Sequence, residues 1–248
     1  MSLARKLRCT VQSVTDHGGR VYTVDLAPAN SVPAFRPGQF LHLTVDDYDP
    51  SSFWPESRVF SIASSPLEKK RIRFCYSVKG RYTTKMERQL KPGGEVWIKL
   101  PYGEFFIDDS TDAVLLAGGT GISAFTAFIE VLKPESKSQV WLVYGARSPE
   151  LLLFEEMILA RLAKAPDFHL LLFTEHNSDQ LAKKLANQPK PPICLAGQIS
   201  LDAVWQRVPQ AASKVFYISG PPIMLKTLSA GLRERSVAPE QIRTDAWE

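Results

Sequence analysis

The sequence predicts two domains: an antiparallel β-barrel or sandwich, followed by an α/β domain built on a parallel sheet. Three observations predict this order. Short β-branched and aromatic segments separated by turn residues fill the first part of the chain. Apolar strands alternating with helical segments fill the second part. Between them lies the polar stretch Asp108–Asp112, where the pattern changes.

The first part is expected to be mostly β-structure. Its strand-like segments are 7–14, 20–26, 39–45, 58–64, 71–78 and 95–100. One helix is expected over Thr83–Leu90, with Thr83 or Thr84 as its N-cap and Glu87 completing a capping box with Thr84. The Pro- and Ser-rich stretch 46–57 is predicted to be a long loop.

The second part alternates strands and helices. Strands are expected at 113–118, 140–145, 169–174 and 215–219. Helices are expected after the first strand, with an apolar face from Ile122 to Leu132, and over 151–164 and 223–235. This alternation is typical of a parallel sheet covered by helices.

Composition excludes several classes of protein. The chain has 248 residues, is 44% hydrophobic and carries a net charge of +4, which is too weak to indicate nucleic-acid binding. Its three cysteines are far apart and form no CxxC pair, so we expect neither a disulfide framework nor a zinc or iron–sulfur site. The four histidines show no ligand-like spacing. Without a signal peptide or a membrane span, a cytoplasmic protein is expected.

The cluster Gly118-Gly119-Thr120-Gly121 stands between the first strand and the first helix of the second part. Such a cluster forms either a tight turn or a backbone cradle for the pyrophosphate of a dinucleotide. The glycines do not match the GxGxxG fingerprint, and the cluster alone leaves both interpretations open. The nearby GISAF stretch does not match GxSxG, which excludes a hydrolase of that type.

Two stretches of the first part are also candidate ligand sites. In Arg58-Val59-Phe60-Ser61, the arginine suits phosphate, the aromatic ring suits a planar ring, and the serine can donate a hydrogen bond. The stretch 77–84, SVKGRYTT, leads into the expected helix, whose start could hold phosphate. Taken alone, the first stretch favours an ordinary amphipathic strand, and the second favours a simple capped helix.

Together, these stretches resemble one family. The motifs that carry the resemblance occur in one order along the chain: Arg58-x-Phe60-Ser61, Gly80-x-x-Thr83, Lys91-Pro92-Gly93, Pro101-Tyr102-Gly103-x-Phe105, Gly118 to Ile122, Tyr144-Gly145-Ala146-Arg147 and Ser219-Gly220-Pro221-Pro222-x-Met224. The set is similar to that of the ferredoxin–NADP reductase superfamily and covers nearly the whole chain. The resemblance implies a six-stranded FAD-binding barrel at 1–109 and a doubly wound NAD(P)-binding sheet at 110–248. It suggests a stand-alone reductase without an iron–sulfur domain.

The resemblance assigns the flavin side of the site to the barrel. Arg58 would pair with the FAD pyrophosphate, Phe60 would lie against the flavin, and Ser61 would hydrogen-bond near flavin N5. Thr83 would bind phosphate at the helix start. The other expected cofactor contacts of this side are Val59, Ser77, Val78, Lys79, Tyr82 and Thr84.

The nicotinamide side is assigned to the second domain. The expected cofactor contacts are Gly118, Gly119, Thr120, Gly121, Gly145, Arg147, Glu175, Gly220, Pro221, Met224 and Trp247. The expected catalytic residues are Ser61, Ser219, Asp245 and Trp247. Trp247 would cover the flavin face where nicotinamide stacks, although core packing is an alternative role. Arg147 favours NADPH and Glu175 favours NADH, with a slight preference for NADH.

The family implies hydride transfer from NAD(P)H to flavin, and onward transfer of electrons to a separate acceptor such as ferredoxin, flavodoxin, an oxygenase component or a small molecule. A basic cluster could steer an acidic partner, or form an ordinary solvated face: Lys69, Lys70, Arg71, Arg73, Lys79, Arg81 and Lys85.

Two departures from the family keep alternatives open. Phe60 stands where the family usually has tyrosine. Flavin reductases of the family, which release free reduced flavin, also have phenylalanine at this position. Ser219 stands where the family often has cysteine. A non-catalytic flavin-binding regulatory subunit is therefore a third hypothesis.

Overall fold

The protein is described by a computed structural model over residues 3–245. Within this range the first six strands are β1 (Arg5–Asp16), β2 (Val21–Pro28), β3 (Phe40–Thr44), β4 (Arg58–Ser61), β5 (Ile72–Ser77) and β6 (Glu95–Tyr102). They form one antiparallel sheet in the order β4-β3-β6-β1-β2-β5. Just beyond the end of β4, the Ala63 N–H donates at 2.7 Å to the carbonyl of Arg73 in β5, the strand at the opposite end of this order. The sheet is thus a nearly closed barrel, which confirms the six-stranded prediction and excludes the sandwich.

Alternating side chains fill the barrel. Along β1, Leu7, Cys9 and Val11 are buried while the residues between them face outward. Helix α1 (Arg81–Gln89) adds Tyr82 and Met86 to the same core. The barrel therefore has a hydrophobic core of its own.

The start of α1 differs from the prediction. Gly80 is the N-cap, and Thr83 lies at the third helical position, where its hydroxyl accepts hydrogen bonds from the N–H groups of Lys79 and Gly80. Neither Thr83 nor Thr84 is the N-cap, so the predicted capping box is wrong. Glu87 instead accepts two hydrogen bonds from the Arg20 guanidinium, which comes from the β1–β2 turn.

The second sheet lies within residues 113–244. Its strands are β7 (Ala113–Gly118), β8 (Val140–Ala146), β9 (Phe168–Thr174), β10 (Ile193–Ala196), β11 (Val215–Ser219) and β12 (Ile242–Thr244). All neighbours pair in parallel, in the order β10-β9-β8-β7-β11-β12. The order reverses between β7 and β11, which makes their carboxyl ends the place where ligands bind in sheets of this kind.

Helices cover both faces of this sheet, which confirms the doubly wound prediction. They are α2 (Ser123–Val131), α3 (Glu155–Lys164), α4 (Ser178–Leu185), α5 (Leu201–Arg207) and α6 (Pro222–Glu234). Leu115 of β7 packs in one core with residues of α2, α3 and α4. The next residue, Leu116, packs in another core with residues of α5 and α6.

The sequence prediction missed four elements and, besides the start of α1, misplaced the start of α3. The missed elements are α4, β10, α5 and β12, which are short. Strand β10 lies at the sheet edge with half-exposed side chains, so it lacks the apolar run of a central strand. Helix α3 begins at Glu155 rather than 151, because Phe154 has a left-handed backbone (φ 60°) that ends the preceding turn.

Direct contacts join the barrel to the parallel sheet. The Thr126 hydroxyl on α2 donates to the Ala63 carbonyl at 2.9 Å, and the Cys75 thiol on β5 points at the Thr120 carbonyl at 3.4 Å. We propose residues 109 and 110 as the domain boundary, since they lie between β6 and β7. No helix within residues 3–245 is long and apolar enough to cross a membrane.

Candidate active site

Strand β4 carries alternating side chains at the edge of the barrel. The Phe60 ring lies on the barrel core, with its centroid 4.9 Å from that of Phe74 and 6.1 Å from that of Tyr76. Val59 is half-buried, and Ser61 is buried on the side that meets the parallel sheet. The strand thus offers an aromatic ring to one side and a hydroxyl to the other.

Arg58 begins β4 and lies against α1. Its guanidinium carbon is 4.5 Å from the centre of the Tyr82 ring, a cation–π contact. It donates to the Ser57 carbonyl at 2.8 Å and forms an ion pair of 2.9 Å with Glu56. The aromatic contact and the hydrogen bonds hold this cation at the surface near the start of α1.

The segment between β5 and α1 completes this side of the site. Ser77 and Val78 are half-buried, and Lys79 is exposed. The Thr83 hydroxyl is already hydrogen-bonded at the helix start, and Thr84 is half-buried on α1. Arg58 and this helix start form one positively charged edge, and the phosphate contacts that the resemblance implies there stay predictions.

The glycine cluster packs against the turn that follows β11. A Cβ added at Gly118 would overlap the Met224 sulfur, and one at Gly121 would overlap the Ser219 carbonyl. Gly119 has a left-handed backbone (φ 54°), and a Cβ there would meet nothing within 4 Å. Gly118 and Gly121 are therefore needed for close packing of the protein on itself, and Gly119 for its backbone conformation.

The turn after β11 makes the reciprocal contact. A Cβ added at Gly220 would lie 2.8 Å from the Met224 sulfur and 3.3 Å from the Gly118 backbone. Pro221 is exposed beside it. The two turns thus meet where the strand order reverses. Gly119 and Thr120, which directly follow β7, are half-buried.

Three buried polar side chains connect the barrel edge to this meeting point. The Asp245 carboxylate, directly after β12, accepts a hydrogen bond from the Ser219 hydroxyl at 2.8 Å. The Ser61 hydroxyl approaches the same carboxylate oxygen at 3.5 Å. Ser61, Ser219 and Asp245 are 7%, 3% and 4% exposed. The structure therefore brings together three of the four predicted catalytic residues, whereas Trp247 lies outside the described residues.

The residues predicted to choose the nucleotide lie at the ends of β8 and β9. Gly145 pairs with Gly118 across the sheet, and a Cβ there would lie 3.0 Å from Ile199. Arg147 and Glu175 are both exposed on adjacent loops. The Glu175 carboxylate accepts a hydrogen bond of 3.4 Å from the Gln198 amide.

The predicted basic cluster is largely paired with carboxylates. Arg73 makes two hydrogen bonds of 2.8 Å to Asp25, and Lys85 forms an ion pair with Asp46. Arg81 lies 3.3 Å from Glu56. These pairs weaken the positive field that would steer an acidic partner, so the solvated-face interpretation gains support.

Burial controls the ionisation of two groups near the site. It raises the pKa of the Cys75 thiol to about 12, so this cysteine is neutral at physiological pH. It also raises the pKa of Tyr76, whose hydroxyl has no hydrogen-bond partner beneath Phe60. Among residues 3–245, no group of three or more His, Cys, Asp and Glu side chains could hold a metal ion.

The sequence prediction missed Glu56, although its carboxylate touches Arg58 and Arg81. The available signal was its position two residues before Arg58, at the end of the Pro- and Ser-rich loop. It also missed Thr126 and Cys75, whose contacts join the two sheets. No sequence pattern indicates those contacts, because they depend on how the sheets pack.

Comparison with known proteins shows what the chain is similar to. The family of the oxidoreductase NAD-binding domain matches residues 115–230. The phenol hydroxylase P5 protein of Acinetobacter pittii is 26% identical, over 86% of this chain and 58% of its own length. The NAD(P)H-flavin reductase of Aliivibrio fischeri is 27% identical, over 64% of this chain and 68% of its own length.

The fold matches solved reductases. A ferredoxin NADP+ reductase from Neisseria gonorrhoeae, with FAD and NADP bound, superimposes with a TM-score of 0.74 at 19% identity, covering 96% of this chain and 97% of the other. The chain therefore shares the two-domain fold of solved FAD- and NAD(P)-binding reductases, and residues 115–230 resemble an oxidoreductase NAD-binding domain. It spans only 35% to 68% of the length of the curated relatives it matches.

The residues present fit a flavin with a phosphate-bearing tail. The two guanidinium groups of Arg58 and Arg81 share one anionic group, the Glu56 carboxylate, at the start of α1. A phosphate has the charge and hydrogen-bonding capacity to replace such a carboxylate. Phe60 supplies an aromatic surface farther along the same strand.

Proposed function

We propose that this chain transfers hydride from NADH or NADPH to FAD and passes the electrons to a separate acceptor. The observation that carries the proposal is the buried contact of Ser61, Asp245 and Ser219, which joins the barrel edge to the point where the strand order reverses. In sheets of this type, nucleotides bind at such a reversal. The relatives named as oxygenase reductase components, such as that of propane 2-monooxygenase, support an oxygenase component as the acceptor.

FAD, when bound, supplies the redox chemistry: it accepts hydride and releases electrons singly or in pairs. The protein binds and orients. Arg58 would hold phosphate, Phe60 would support the flavin ring, and Ser61, which approaches Asp245 at 3.5 Å, would turn its hydrogen bond to the flavin. Ser219 keeps its proton directed at Asp245, and water is excluded from the buried side chains of Ser61, Ser219 and Asp245.

Two observations favour a second candidate, a flavin reductase that releases reduced flavin. Phe60 lacks a hydroxyl to hold the flavin, and Arg58 is engaged by Glu56. The NAD(P)H-flavin reductase of Aliivibrio fischeri is among the relatives. Anaerobic turnover separates the candidates. With catalytic protein and NADH, saturation by added riboflavin or FMN supports the second, whereas reduction of an acceptor protein by retained FAD supports the first.

We further propose NADH as the preferred nucleotide, because a carboxylate at Glu175 suits ribose hydroxyls and repels a 2′-phosphate. In Glu175→Gln, the ratio of kcat/KM for NADH over NADPH is expected to fall about tenfold, since about 1.4 kcal/mol of discrimination corresponds to that factor. Glu150→Gln is a matched control on the surface after β8. An unchanged ratio in Glu175→Gln would contradict this assignment.

A further inference from the structure

Glu56 occupies the positively charged edge of the site. It lies two residues before β4, and both of its carboxylate oxygens are engaged. One oxygen is 2.9 Å from the Arg58 guanidinium, and the other is 3.3 Å from that of Arg81. Arg58 and Arg81 come from different elements, so the carboxylate bridges the start of β4 and the start of α1.

The backbone around Glu56 is also fixed in place. The Tyr82 hydroxyl donates to the Glu56 carbonyl at 2.8 Å. The Trp54 indole N–H donates to the Ser57 hydroxyl at 3.0 Å. These contacts hold the end of the loop against α1, so the carboxylate is kept at the place where a flavin phosphate is proposed to bind.

We propose that Glu56 competes with the phosphate groups of FMN and FAD for Arg58 and Arg81, and so determines how tightly each flavin is held. This inference rests on the proposed function, in that a flavin binds along β4. A phosphate must displace the carboxylate or lie beside it against like-charge repulsion. Riboflavin has no phosphate and meets no such competition. Glu56 therefore shifts the protein toward flavins that exchange with solution.

The exposure of the three side chains sets the size of the effect. Glu56 and Arg58 are each 43% exposed, and Arg81 is 88% exposed. Ion pairs between such exposed groups are weak, so removing the competing charge should change phosphate binding about three- to tenfold. In the opposite role, Glu56 would orient Arg58 to receive phosphate. Removing the Glu56 charge would then weaken the binding of FMN and FAD.

The experiment measures flavin binding in the full chain after removal of bound flavin. Dissociation constants for riboflavin, FMN and FAD are obtained by fluorescence titration for the wild type and Glu56→Gln. Asp47→Asn is the matched control, since it removes one exposed negative charge from the same loop. In Glu56→Gln we expect the dissociation constants of FMN and FAD to fall about three- to tenfold, with riboflavin unchanged. The gain should shrink in high salt.

The alternative results are distinct. Unchanged or weaker binding of FMN and FAD in Glu56→Gln would overturn the inference. An equal gain for riboflavin, or an equal gain in Asp47→Asn, would also overturn it, because neither depends on a carboxylate between two arginines. If the wild type and both variants bind none of the three flavins, the proposed function itself fails, and this inference fails with it.

Discussion

The two halves of the candidate site depend on different interactions. At the barrel edge, Arg58, Glu56 and Arg81 are exposed charged side chains that can exchange partners. Where the strand order reverses, Gly118 and Gly121 leave no room for even one added carbon. The first half can be tuned by charge and salt, while the second depends on close backbone packing. We expect substitutions to be graded in the first half and severe in the second.

The largest effect is expected at Gly121. In Gly121→Ala the new Cβ would overlap the Ser219 carbonyl, so the two turns must move apart. A misplacement of about 1 Å can reduce catalysis about a hundredfold. Overpacking of this kind costs about 1–3 kcal/mol of stability. The checks are the rate of NADH-driven flavin reduction and the free energy of unfolding.

Gly80→Ala is the matched Gly→Ala comparison without steric overlap, because a Cβ there meets nothing within 4 Å and φ is −162°, so its cost is limited to the N-cap preference for glycine. If Gly121→Ala kept wild-type stability and rate, it would contradict the claim that substitutions at the strand reversal are severe.

The next effect is expected at Ser219. Ser219→Ala removes the 2.8 Å hydrogen bond to the buried Asp245 carboxylate. Without this bond Asp245 loses its fixed orientation beside Ser61, and we expect the rate of flavin reduction to fall at least about tenfold, which corresponds to about 1.4 kcal/mol of activation free energy. Single-turnover kinetics with NADH measure this. Ser229→Ala is the matched control, since Ser229 is also buried but its hydroxyl has no hydrogen-bond partner. Equal losses in both variants would show that the effect is only structural.

A smaller effect, confined to binding, is expected at Arg58. Arg58→Gln should weaken FMN and FAD binding about tenfold and leave riboflavin almost unchanged, because only the phosphate loses a charged partner. Arg88→Gln removes the same charge from the exposed surface of α1 and serves as the control. Equal weakening of riboflavin would show that Arg58 supports the fold of β4 rather than phosphate binding.

The smallest effect is a pH dependence at the contact between the two sheets. Burial raises the pKa of the Glu130 carboxyl on α2, although Arg71 and Arg73 oppose the shift. A carboxyl with a raised pKa binds its proton more tightly in the folded state. Its stabilising effect is therefore present below the usual value of 4.5 and is lost as pH rises through the raised pKa.

In Glu130→Gln this loss is absent. As the pH rises from about 4 to 7, the free energy of unfolding of the wild type should fall relative to that of Glu130→Gln. Glu135→Gln, on the exposed loop after α2, is the control. A constant difference between wild type and Glu130→Gln across this range would contradict the prediction.

The fold was predictable because its long central strands carry clear patterns. The bounds predicted for 113–118 match β7, and the strands of the barrel differ by a few residues at their ends. Short elements such as β12 carry no such pattern, yet β12 places Asp245 beside Ser219. Local sequence therefore identified the main sheets but not the short strand that completes the site.

The site was predictable as a set of motifs, but not as a set of contacts. Ser61, Ser219 and Asp245 are far apart in the chain, and the structure brings them together. The roles assigned to them and to the cofactor contacts stay predictions. The sequence could not show that Gly118 and Gly121 serve internal packing, or that Glu56 engages Arg58, because both facts depend on neighbours from distant segments.

The most direct test is an anaerobic titration of the protein loaded with FAD, first with NADH and then with NADPH, following the visible absorption of the flavin. We expect bleaching by a stoichiometric amount of nucleotide, with NADH the more effective of the two. A flavin that binds but stays oxidised in excess NADH and NADPH would contradict the claim that the barrel edge and the strand reversal form one hydride-transfer site.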